Sequence, residues 1–208
     1  MATTSSTDPS RATRILGALG VIGGLALLST FIVGIAPDPN VVRIVVYGTG
    51  AISVIVAVHL RAGSTAPKAS RVIAVIAIAA YALLLARELL PYGSWHPFAG
   101  DDGLTLFVAG MAIWLSDAAF GLATAWYRMA ARPSAWLLAG GSLLAMTGID
   151  RLQLTSPAAP TIFGPISQVG LVLTGVAWVV LGAELVTQGR ASPAARSGEE
   201  SPIASTAT

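Results

Sequence analysis

One acid stands where acids are costly. Asp117 lies in the run AGMAIWLSDAAFGLATAWY, which is apolar enough to sit inside a membrane. A charged side chain at that depth costs at least a few kcal/mol, so it marks a partner, a proton relay or a binding site. Helical spacing puts Gly110, Gly121 and Thr124 on its face, with Trp114 one turn before it. That is the small, polar side of the helix, so Asp117 is expected to face other helices. No Arg, Lys or His is expected at its depth, but Ser53 and Trp178 are, and both donate hydrogen bonds. Removal from water disfavours the charged form of a carboxyl. Two chemistries fit: a protonated acid that locks helix packing, or a carboxyl that carries a proton or holds a ligand.

A second group gathers toward the opposite end from most of the basic residues: Arg43, Arg87, Glu88, Asp150 and Arg151. Opposite charges on different helices at one depth can pair or line a polar pocket. Tyr81 precedes Glu88 by two helical turns and shares its face, and Tyr47 follows Arg43 by one turn. The plainer alternative is that these long side chains reach the headgroups individually. The set with ligand-binding or proton-carrying chemistry is therefore Asp117, Arg43, Tyr81, Glu88, Asp150 and Arg151.

Other chemistry is thinner. Asp101, Asp102 and His96 could hold a cation, but acids just before a helix more simply cap it. His59 and Glu184 fall near the same end and can pair or reach water. The GTG at 48–50 sits inside an apolar run without a strand-turn-helix context, so it is read as packing. No GxSxG, HExxH or EF-hand spacing occurs. With no cysteine and two histidines, thiolate, haem-attachment and three-histidine zinc sites are excluded. No cofactor and no metal are expected.

The elements that position these residues follow from composition. Of 208 residues, 54% are hydrophobic and 11% charged, against the roughly 25% charged residues of a soluble domain. The net charge of +2 is too small for a nucleic-acid footprint. Eleven of the twelve basic residues are Arg, and Ala and Gly are abundant, the style of a GC-rich bacterial genome. A helix crossing the ~30 Å hydrocarbon layer needs about 20 apolar residues. Six runs meet or approach that length: 15–35, 41–60, 71–90, 104–127, 134–152 and 166–186. They are continuously apolar rather than alternating, which selects helices over barrel strands. The first run, at 21 residues, exceeds the 7–15 of a signal peptide and is read as a retained span.

The expected fold is an all-α, polytopic bundle of six transmembrane helices over 15–187, with disordered tails at 1–14 and 188–208. Arg11, Arg14, Arg61, Lys68, Arg71, Arg128, Arg132, Arg190 and Arg196 fall on one side, and only Arg43, Arg87 and Arg151 on the other. The positive-inside rule then places both termini in the cytoplasm of a cell with this as its inner membrane. Trp126, Tyr127 and Trp136 fall at the inner interface, and Tyr92, Trp95 and Phe98 at the outer one.

Small residues should mediate helix contact: Gly17, Gly20 and Gly24 in the first span, Gly140, Gly141 and Gly148 in the fifth, Gly175 and Gly182 in the sixth. These Gly-rich faces also suit a second copy of the chain or a membrane partner. All twelve prolines lie outside the six spans, so the broken helices typical of many transporters are not signalled. The expected function is non-enzymatic: binding or transport of a small or amphipathic molecule through an outward-facing polar pocket and Asp117. Membrane lipids are the other expected partners, and nucleic acid is not. Two alternatives remain. One is a membrane enzyme acting on a lipid or isoprenoid at the outer leaflet, with Asp117, Glu88 or Asp150 as general acid; the other is a structural or assembly subunit.

Overall fold

The computed structural model describes residues 9–32, 41–89, 102–147 and 163–188. Among them there are six α-helices and no strands: α1 (Pro9–Ile32), α2 (Val41–Ala62), α3 (Lys68–Leu89), α4 (Asp102–Trp126), α5 (Arg132–Met146) and α6 (Phe163–Gln188). Four of them carry stretches long and apolar enough to cross a membrane: Ser10–Ser29, Val42–Thr65, Lys68–Ala86 and Pro165–Thr187. Helix α1 starts at Pro9, so residues 9–14, expected in the tail, are helical; proline suits a first turn because its missing N–H has no partner to lose there. Helix α5 is shorter than its apolar run, 15 residues or about 22 Å. Residues 148–152, including Gly148, Asp150 and Arg151, lie outside the described residues, as do Tyr92, Trp95, His96, Phe98 and Asp101.

Each helix packs against its neighbours in sequence, and α1 closes the ring by packing on α6. Neighbours around the ring run in opposite directions: Gly17 lies by Gly182 and Gly24 by Gly175 across α1/α6, and Gly141 by Thr174 with Gly170 by Ala145 across α5/α6. Helices α2 and α6 also touch across the ring, which brings large side chains to its centre. The core there is Val54, Ile55, Tyr81, Phe120, Leu138 and Trp178, all buried.

Close approach depends on glycine at several crossings, α1/α2 and α1/α6 among them. A Cβ on Gly23 would lie 2.8 Å from the Gly50 Cα, and one on Gly50 would lie 2.6 Å from the Gly23 Cα. A Cβ on Gly17 would lie 2.8 Å from the Gly182 carbonyl oxygen. Such contacts let backbones approach where apolar solvent gives no other drive to associate. Gly50 of the GTG is thus a packing residue. Gly140 is exposed and has open space beside it, unlike its neighbour Gly141, so it takes no part in the contact. The outward faces are apolar: Val75 is 66% exposed, and Ile22, Leu25, Ile76 and Val169 are exposed too. Faces of this composition belong in lipid rather than water.

Two turns are built in detail. After α2, a short 3₁₀ turn at Gly63–Thr65 with Gly63 at φ +54° reverses the chain. The Arg71 guanidinium closes it by donating to the carbonyls of Gly63 and Ser64, each at 3.2 Å. After α4, Met129 N–H donates to Thr124 O at 3.0 Å and Arg128 N–H to Ala125 O at 3.4 Å. This is the Schellman pattern, with Arg128 at φ +54° where glycine is usual.

Candidate functional site

Four helices deliver one side chain each to the middle of the ring: Tyr47 from α2, Tyr81 from α3, Asp117 from α4 and Trp178 from α6. Asp117 and Tyr81 are wholly buried, Trp178 is 1% exposed and Tyr47 7%. By helix rise, Asp117 lies roughly 22 Å from the start of α4 and 13 Å from its end. The Tyr81 hydroxyl donates to Asp117 Oδ2 at 2.6 Å. The Tyr47 hydroxyl lies 2.7 Å from that of Tyr81 and 3.4 Å from the same Oδ2. The rings meet edge to face, with centroids 5.6 Å apart. Since each hydroxyl has one proton, the short distances define a chain in which Tyr47 donates to Tyr81 and Tyr81 to the carboxyl.

The other carboxyl oxygen, Asp117 Oδ1, is buried with no hydrogen-bond partner. The Trp178 Nε1 is close enough to act electrostatically on both Asp117 and Tyr47. It completes no well-formed hydrogen bond with either. Thr124 Oγ1, two turns along α4, is also buried and unpaired. Oδ1 is thus the open position in either protonation form: it lacks a donor when ionised and an acceptor when it carries the proton. No cation contacts the carboxyl among the described residues. Phe120 stacks on Trp178 with centroids 6.2 Å apart and walls the node toward His59, whose ring is 6.0 Å further on.

Several expected partnerships differ. Ser53 does not reach Asp117; its hydroxyl bonds back to Thr49 O at 2.8 Å, since a serine inside a helix can satisfy itself locally. Tyr81, grouped by spacing with Glu88, turns its hydroxyl to Asp117 instead. Arg43 and Glu88 are half-buried, and neither makes an ion pair among the described residues. The side chain of Arg87, and Asp150 and Arg151 altogether, lie outside what is described. The same holds for the side chains of the Asp101, Asp102 and His96 group. No other cluster of three or more metal-ligating side chains occurs among the described residues.

His59 and Glu184 do not meet. The two ring nitrogens of His59 face Ile55 O at 2.9 Å and Ser70 O at 3.2 Å, tying α2 to the start of α3. The Glu184 carboxyl on α6 accepts from Ala131 N–H at 3.1 Å and from the Ser134 hydroxyl at 2.9 Å. Ala131 precedes α5 and offers no side-chain cap, so an acid from another helix supplies it. Spacing along one helix could not reveal this cap.

The node can hold a proton, receive a small polar group at Oδ1, or simply fasten four helices. No nucleophile–base pair adjoins it among the described residues. No family model, curated protein or solved structure matches this chain.

Proposed function

We propose that this chain is a bacterial inner-membrane protein that binds or moves a small or amphipathic molecule at the Asp117 node, without catalysing a reaction. The observation that carries the reading is the unpartnered Oδ1 of a fully buried Asp117, with an unpaired indole N–H beside the same carboxyl. Buried polar atoms are rarely left unsatisfied, and those that are mark a ligand, a water or an ion. A ligand bearing both a donor and an acceptor would satisfy the two atoms together.

Six crossings with both termini cytoplasmic form part of the proposal. The antiparallel ring supports an even number of crossings. The α2–α3 and α4–α5 connections share one end and carry Arg61, Lys68, Arg71, Arg128 and Arg132. At the opposite, outer end lie the half-buried Arg43 and Glu88, at the ends of the helices that carry Tyr47 and Tyr81.

Complete closure of the node favours a second reading, in which the carboxyl only fastens the helices of a structural subunit. Native mass spectrometry of gently purified protein separates the two. The binding reading expects a small, non-phospholipid adduct on the wild type that is lost in a folded Asp117→Asn variant. A wild type without such an adduct, or one retained in the variant, leaves the fastening role.

A further inference from the structure

We propose that the basic end of the bundle carries a specific site for one anionic phospholipid, its phosphate between Arg61 and Arg128 and an acyl chain along Trp126 and Trp136. The site is separate from the Asp117 node and rests only on the membrane placement of the bundle.

Two cavities meet there. One, of about 240 Å³, lies between the two short turns and is lined by Arg61, Thr65, Tyr127 and Arg128. The other, of about 530 Å³, is a groove between α3, α4 and α5 lined by Ile73, Leu122, Trp126, Tyr127 and Trp136. Tyr127 lines both, so a cationic recess and an apolar groove lie side by side. A third recess places Arg132 against the far side of the same two tryptophans. The occupant must therefore join a negative head to an apolar tail. Trp126 is 79% exposed and Trp136 55%, as suits rings that lie against lipid at the headgroup level.

The backbone at Arg128 points the same way. A left-handed conformation costs a non-glycine residue about 1–2 kcal/mol. Glycine would occupy this Schellman position without that cost. A strained residue that carries one of the two cations of the recess is better explained by a ligand than by the turn.

The test uses full-length protein in mild detergent, offered equimolar phosphatidylglycerol and phosphatidylcholine with identical chains and read by native mass spectrometry. Wild type should retain phosphatidylglycerol about 25-fold or more over phosphatidylcholine, and each arginine removed should lower that preference about fivefold. Arg61→Gln and Arg128→Asn are suitable, since asparagine tolerates the left-handed backbone; Arg61→Lys should keep most of the preference. The tail is read by tryptophan quenching with brominated chains. Brominated phosphatidylglycerol should quench more than brominated phosphatidylcholine, and the difference should vanish in Trp126→Phe/Trp136→Phe. Equal retention of the two lipids by the wild type would overturn the proposal, whether or not any variant folds. So would an unchanged preference in the folded arginine variants. Displacement by glycerol phosphate at the same concentration as the lipid would reduce the site to a phosphate recess and overturn the assignment of the groove.

Discussion

Asp117 is held by tyrosines, not by a cation, and this decides what its replacement should do. Asparagine keeps an oxygen for the Tyr81 hydroxyl and puts an amide where Oδ1 was. Asp117→Asn should therefore fold with thermal stability in detergent close to wild type. Asp117→Leu leaves the tyrosine pair without its acceptor and should cost about 1–3 kcal/mol, read as a lower melting temperature. Tyr81→Phe removes the 2.6 Å bond to the carboxyl and the acceptor of Tyr47, and should cost about 1–2 kcal/mol, with Tyr47→Phe costing less because it removes only the outer, 2.7 Å link of the chain. A Tyr81→Phe protein as stable as wild type would mean that the hydroxyl chain contributes nothing to holding the helices. The interior face of Asp117 was legible from Gly121 and Thr124 on the same helix. Its partners were not, because periodicity within α3 says which residues share a face but not how α3 slides against α4. Spacing alone therefore groups Tyr81 with Glu88, and depth groups Ser53 with Asp117, although Ser53 satisfies itself one turn back.

At the scale of elements, the apolar runs marked the helices, and most of the glycines picked out for packing do lie at helix crossings. What the sequence concealed was the match between helices: Gly23 against Gly50, and Glu184 of α6 capping α5. Gly23→Leu would drive a side chain into the Gly50 backbone and should lower the melting temperature sharply or abolish folding. Gly140→Ala is the control: with nothing within 4 Å, it should be neutral or stabilising by up to about 1 kcal/mol. If both changes behave alike, the α1/α2 contact is not the close one described. Glu184→Ala should cost about 0.5–2 kcal/mol, the loss of a helix cap, and raise hydrogen exchange in the first turn of α5. Unchanged exchange there would show that the carboxyl does not serve that helix. Of the fifth apolar run, 134–146 lie in α5, and 148–152 lie outside the described residues.

For the whole molecule, the closed antiparallel ring, the apolar outer faces and the clustering of basic residues at one end all bear on one claim, that this bundle crosses a membrane six times with both termini inside. The depth proposed for Asp117 rests on the part of it that has α4 crossing. The protein has no cysteine, so single cysteines report one position each. The decisive measurement is labelling of Ser94→Cys, Ser156→Cys, Ser64→Cys and Ser192→Cys proteins in intact cells with a reagent confined to the periplasm. The account predicts modification at 94 and 156, and at 64 and 192 only after the cells are opened. Labelling at 64 or 192 in intact cells, or protection at 94 or 156, would contradict the topology, and full reversal at all four would overturn the orientation and with it the outward-facing pocket.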